Sequence, residues 1–170
     1  MVTTATSSIT TTEQLWRVLA GVMDPEVPVL SILDLGIVRQ AELRDGKAYV
    51  TITPTYSGCP AVNTIAMDIR LRLMAEGVHD VQITTQLSPA WTTDWMSAEG
   101  RARLLEYGIA PPAEPLGGAD RPFAEEAIVR CPRCNSVHTE LISRFGSTAC
   151  KALYRCTDCS EPFDYFKCHR

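Results

Sequence analysis

The sequence lacks the marks of several large functional classes. No apolar run approaches the roughly 20 residues of a membrane-spanning helix, so no membrane location is expected. Positive charge is not in excess: 16 Lys and Arg stand against 20 Asp and Glu, for a net charge of −4 and a pI near 5.4. Phosphate backbones need a basic face, so nucleic acid is not an expected partner. No Gly-x-Gly-x-x-Gly string is present, which removes the usual flavin and nicotinamide fingerprint. Histidine is scarce, with three in 170 residues. The opening MVTTATSSITTTEQ has neither a basic start nor an apolar stretch, so no secretory signal is read and a cytoplasmic location is expected.

Cysteine, by contrast, is plentiful, with seven residues. In a reducing compartment these are metal ligands or reactive thiols rather than disulfides. A content of 45% hydrophobic and 21% charged residues supplies a core for one domain or two small ones.

Periodicity orders the first two thirds of the chain. Leu15, Val18, Leu19 and Val22 recur at helical spacing over 12–23, and Asp24-Pro25 should end that helix. Segments 37–44 and 47–53 read as a hairpin about the turn RDGK, with Val50 and Ile52 on one side and Tyr49 and Thr51 on the other. Val62, Ile65, Ala66, Ile69 and Leu73 form the stripe of a helix over 60–76, stopped by Gly77. A strand over 79–87 and a helix over 97–107, opened by Ser97 and closed by Gly108, follow. Gly100 is unexpected inside that helix. The string APPAEPLGGADRP is linker in composition. The expected division is a domain over 12–109, a link over 110–125 and a cysteine-rich module over 126–170.

The strongest chemical signal is CPRC at 131–134 with CTDC at 156–159. Two Cys-x-x-Cys turns can present four thiolates to one ion, and soft sulfur suits zinc. Fe–S ligation by the same Cys131, Cys134, Cys156 and Cys159 is the chemical competitor. Zinc implies a ribbon with strands near 138–143 and 150–155. Asn135 and Ser160 fall where glycine is common after such turns. A segment of about 45 residues has too small a core to fold without a staple. Cys150, Cys168 and His169 are spare potential ligands, of which Cys168 and His169 are read as peripheral.

Cys59 stands apart in TYSGCPAVN. Pro60 is a favoured first helical residue, so the sulfur lies near a helix start, where unpaired N–H groups favour an anion. A lowered thiol pKa is the expectation there. Gly58 would keep the sulfur uncrowded, and Thr55, Tyr56 and Ser57 offer hydroxyl donors. The alternative is a packing cysteine, the commoner fate of a free thiol. Catalysis by Cys59 alone would need a base, and no histidine lies nearby in sequence, with His79 and His138 read as ordinary surface groups. Asp24, Glu26 and Asp34 either line a cation or partner site near Cys59, or Asp24 marks a helix end and the others are solvated. Trp91 and Trp95 are read as core or partner-facing anchors.

The strings MDPEVPVLSILDLGIV and TPTYSGCPA, with the hairpin and the amphipathic helix, resemble the small domain of SufT-type and cytosolic iron–sulfur targeting factors. SPAWTTDWMS, the proline-rich link and the two-knuckle tail extend the likeness. Together they resemble the PaaD family, accessory proteins of the phenylacetyl-CoA epoxidase system of bacterial phenylacetate degradation. The resemblance covers nearly the whole chain after about residue 12. It implies an α/β (α+β) fold, a two-layer αββαβ domain with a C-terminal zinc-ribbon-like all-β module. It implies a maturation factor, not catalytic alone, that delivers iron or an Fe–S cluster to a di-iron oxygenase, or else a structural subunit of that complex. Cys59 would be the reactive thiol holding transient metal or cluster, with Asp24 and Glu26 as the family's acids. Zinc would be structural, and oxygenase or reductase subunits the partners, with a homodimer left open.

Overall fold

A computed structural model describes residues 9–56, 58–112 and 128–167. These divide into two compact units, one running to Gly100 and the other beginning at Arg101.

The first unit opens with α1 (Thr12–Leu19). Thr11 and Gln14 form a reciprocal cap that satisfies the first free N–H groups. The helix ends before the expected residue 23. Gly21 and Val22 close tight turns onto Val18 and Leu19, and the backbone of Val22–Asp24 instead pairs with residues 30–32. Tertiary pairing thus takes the groups that a longer helix would have used. Strands β1 (Val38–Arg44) and β2 (Lys47–Ile52) form the expected antiparallel hairpin. Asp45 (φ 50°) and Gly46 (φ 76°) make its two-residue turn, whose twist matches that of the flanking strands.

From β2 the chain enters α2 (Ala61–Ala75) and returns as β3 (Asp80–Thr85), parallel to β2. The sheet order is β1-β2-β3, and both helices contact it. Ala48, Val50 and Ile52 alternate into the core with Ile65, Ile69 and Leu73 of α2 and Leu15 and Leu19 of α1. No helix among the described residues is long and apolar enough to cross a membrane.

Asp34 ties the irregular segments to this core. Its carboxylate accepts from the Ser31 N–H (2.9 Å) and hydroxyl (2.8 Å) and from the Ser97 hydroxyl (3.1 Å). Its carbonyl accepts the Ser97 N–H at 2.8 Å. Ser97 in turn caps α3 (Ala98–Tyr107) by accepting the Gly100 N–H at 2.9 Å. The glycine inside this helix is explained by space: a Cβ there would lie 2.9 Å from the Asp34 Cβ. Asp34 therefore serves as a clamp between these segments.

The second unit holds β4 (Thr139–Ser143), β5 (Lys151–Cys156) and β6 (Pro162–Phe166) in an antiparallel sheet of that order. Three strands stand where two were expected, because the short PFDYF run carries too little alternation to read as a strand. Its partner register nevertheless stacks Tyr154 on Phe163 (6.0 Å) and sets it edge-on to Tyr165 (5.6 Å). Ala110 joins β6 through bonds to Asp164 and Phe166. Most of the 110–125 link lies outside the described residues.

All three tryptophans (16, 91 and 95) belong to the first unit, so their fluorescence reports its unfolding. Asp34→Ala should lower the urea stability of that signal by about 2–3 kcal/mol, since several bonds to a buried carboxylate are lost. Gly100→Ala should cost about 1–2 kcal/mol by overpacking. Unchanged midpoints in both would remove the clamp.

Candidate metal centre and thiol site

In the ribbon the two Cys-x-x-Cys turns approach each other. Asn135 (φ 61°) and Ser160 (φ 63°) both take the left-handed conformation that follows such turns. The Sγ atoms of Cys131, Cys134, Cys156 and Cys159 all lie within 4.8 Å of one another. Cys131 and Cys159 are 3.7 Å apart, and Cys134 and Cys156 are 3.5 Å apart. Four sulfurs about 2.3 Å from a tetrahedral zinc would sit about 3.8 Å apart, so the donor set fits a thiolate-bound metal.

The turns also aim N–H groups at the sulfurs. Those of Cys159 and Asp158 hold the Cys156 thiol down to about 7. The Ser136 N–H pulls on Cys134 likewise, yet that thiol is pushed up to about 12 among its neighbouring sulfurs. One proton leaves readily and the next is resisted, a conflict that a bound cation removes. His138 is exposed, with Nδ1 3.1 Å from Asp158. Cys150 is buried beside the Thr148 hydroxyl at 3.0 Å, away from the four-sulfur cluster. Cys168 and His169 lie outside the described residues.

Cys59 occupies the expected position, immediately before Pro60, the N-cap of α2. The left-handed backbone of Gly58 (φ 91°) sets up the turn. Beyond its chain neighbours a Cβ on Gly58 would meet nothing within 4 Å, so what calls for glycine here is the left-handed backbone. The Cys59 N–H donates to the Tyr56 carbonyl at 3.1 Å. Ser57 lies outside the described residues.

The electrostatics correct the expectation of an exposed, low-pKa thiol. Cys59 is 9% exposed. Burial pushes its pKa up, against the Ala61 N–H and the Thr55 hydroxyl that favour the thiolate, and the charges of Glu26 and Asp24 push the same way as burial. The helix start does supply a donor, but withdrawal from water and two nearby carboxylates outweigh it. Asp24 is itself 6% exposed, and its Oδ1 accepts the N–H groups of Glu26 (2.8 Å) and Val27 (2.7 Å). The acids and the thiol are thus brought together from DPEVP and GCP, 35 positions apart in Asp24 and Cys59. Sequence reading missed Thr53, which precedes this loop. Its hydroxyl is buried with no hydrogen-bond partner among the described residues, and no sequence signal distinguishes such a threonine.

The tryptophans are accounted for within the first unit. Trp91 is buried and donates its Nε1–H to the Leu35 carbonyl at 2.7 Å. Trp95 is half-buried beneath the Arg39 guanidinium, 3.6 Å from the ring centre. The string Glu76-x-x-His79, of the kind di-iron bundles carry on one helix, here straddles the end of α2 at Gly77 (φ 83°).

Comparison with known proteins gives these features a family. Residues 12–84 match the family described as iron-sulfur cluster assembly protein, and residues 118–167 match the PaaD zinc beta ribbon domain. A protein of Escherichia coli K12, provisionally named as one of the subunits of 1,2-phenylacetyl-CoA epoxidase, is 54% identical over 155 residues, covering 91% of this chain and 92% of the relative. The chain belongs to the PaaD family. Other similarities of this PaaD-family chain cover just over half of it. An Fe–S protein maturation auxiliary factor of Porphyromonas gingivalis is 38% identical over 101 residues, covering 58% of this chain and 92% of that protein. The crystal structure of a domain of unknown function, DUF59, from Bacillus anthracis shares the fold. Its TM-score is 0.51 at 27% identity, covering 55% of this chain and 90% of that one.

The PaaD-family chain should carry one metal ion with an all-sulfur shell. Chelation should unfold the ribbon and leave tryptophan fluorescence unchanged, since the binding energy supports the small unit alone. Loss of both signals together would contradict this. With the ribbon cysteines metal-bound, alkylation of Cys59 should give an apparent pKa above the roughly 8.5 of a free thiol. The fold prefers the protonated sulfur, so the stability it confers is complete below the ordinary thiol pKa and is lost as pH rises through the raised one. An apparent value below that of a free thiol would refute the burial argument. Thr53→Val should be neutral or stabilising by up to about 1–2 kcal/mol, read by tryptophan fluorescence in urea, because it removes an unsatisfied buried hydroxyl.

Proposed function

We propose that the chain is an accessory maturation factor of a phenylacetyl-CoA 1,2-epoxidase, a multicomponent di-iron oxygenase of aerobic phenylacetate catabolism. It assists delivery of iron or an Fe–S cluster and is not a catalyst on its own. One observation carries this reading. Cys59, with Asp24 and Glu26 beside it, lies inside a segment matching iron-sulfur assembly proteins, in a chain 54% identical to a protein named as an epoxidase subunit.

The charges suggest how such a site works. Burial, with the charges of Glu26 and Asp24, disfavours a negative charge on Cys59, so without cargo the thiol stays protonated and of low reactivity. The same field attracts a cation. An arriving iron ion or cluster, as cargo, compensates the carboxylates, and the thiol then releases its proton and ligates. Holding is weak because one sulfur is a small ligand set, which suits transfer. The ribbon sulfurs hold zinc as a structural ion, and the ribbon is a docking module for oxygenase or reductase subunits.

A second reading, a structural subunit of the epoxidase with an inert Cys59, is favoured by the burial of that thiol. Cys59→Ala separates the two. It should fold, at a cost of about 1 kcal/mol for a small buried side chain. In cells that depend on the epoxidase for growth on phenylacetate, it should fail to support epoxidase activity. Full activity, with the chain co-purifying in stoichiometric amounts, would favour the structural subunit. Purified ribbon should contain zinc, and an Fe–S absorption spectrum without zinc would overturn that assignment.

A further inference from the structure

Helix α2 is apolar on two sides. Ala61, Ile65, Ile69 and Leu73 face the core, while Met67 (56% exposed), Leu71 (56%) and Met74 (47%) stand on the opposite side. A surface helix ordinarily turns charge outward, and an all-round apolar helix is ordinarily covered. Met67, Leu71 and Ala75 are spaced four apart and form one ridge of the kind into which a second helix packs.

This ridge borders a groove of about 590 Å³ between α1 and α2, lined by Arg17, Val18, Leu71, Arg72, Ala75 and Glu76, with Gly21 at its end. Val18, Leu71 and Ala75 make its apolar part. Arg17 and Arg72 are its two cations, and both are exposed. Among the described residues neither is within ion-pair distance of a carboxylate. Arg17 sits one turn after Glu13, on which it exerts only the weakest of several influences. Arg72 lies across Gly21, where an added Cβ would come 2.7 Å from its Nη1, so the small residue leaves room for the guanidinium.

We propose that this groove docks an acidic amphipathic helix of a partner protein. The ligand's apolar stripe would cover Met67, Leu71 and Ala75, and its flanking carboxylates would pair with Arg17 and Arg72. The exposed methionines suit such a surface because unbranched thioether chains adapt to a partner's shape. Charge decides against a second copy of this chain as the occupant. The groove's two arginines outnumber its one carboxylate, Glu76, so a two-fold interface would set two faces of net positive charge against each other, and like charges oppose that.

The test uses the full metal-loaded chain and two labelled synthetic helices of about 18 residues. Both carry the same leucine stripe at helical spacing, one flanked by glutamates and the other by lysines. In fluorescence anisotropy at low salt the acidic peptide should bind at least tenfold more tightly. The double substitution Arg17→Glu/Arg72→Glu should invert that preference, a gain that an unfolded protein cannot mimic. Leu71→Glu should weaken binding of the acidic peptide at least tenfold. If the double variant does not fold by circular dichroism, Arg17→Glu alone, on the exposed rim of α1, should narrow the preference at least threefold. Equal binding of the two peptides, or no binding of the acidic one, would overturn the proposal. So would self-association in sedimentation that Leu71→Glu abolishes, because it assigns the face to a second copy.

Discussion

Anionic groups crowded together are tolerable only when a cation joins them or a proton is retained. Both chemical centres of this chain are built on that constraint. In the ribbon, four thiols lie within 4.8 Å of one another, with backbone N–H groups aimed at their sulfurs. That arrangement has no stable fully ionised state without metal. At Cys59 a single thiol is buried beside two carboxylates, and its proton is retained as the lesser cost. The ribbon is suited to permanent occupancy, because four ligands converge. Under the proposed maturation role, the Cys59 site, with one sulfur and two acids, would take a passing ion.

The rest of each unit serves these placements. In the first, the core packing of α2 against β2 and β3 fixes the helix start that carries Cys59. The turn closed by Asp24 brings the acidic string beside it, and the Asp34–Ser97 clamp holds the adjoining loops. In the second, a core of Ala110, Val129, Ala152, Phe163 and Tyr165 surrounds Cys131 and Cys156. That core is small, so the metal is part of the fold and not an addition to it.

Much of this was legible in the sequence because it rests on local rules. The Asp45-Gly46 turn, the α2 stripe, the two knuckles and the left-handed Asn135 and Ser160 each follow from a few adjacent residues. What escaped depends on long-range packing. The early end of α1 follows from pairing with residues 30–32, and Gly100 is explained only by Asp34, 66 positions away. The third ribbon strand needed its partner register to become visible. The sign of the Cys59 shift was missed for the same reason: sequence shows the helix start and its dipole, but not the burial or the approach of Asp24 and Glu26. The outward stripe of Met67, Leu71 and Met74 was hidden behind the stronger inward one.

The maturation role is tested most directly by the metal content of the client. Epoxidase components would be produced with the wild-type chain, with Cys59→Ala and without the chain, then assayed for iron and labile sulfide. One component should be deficient to the same degree in the last two preparations and replete in the first. Equal iron and sulfide in all three would contradict a role in delivery.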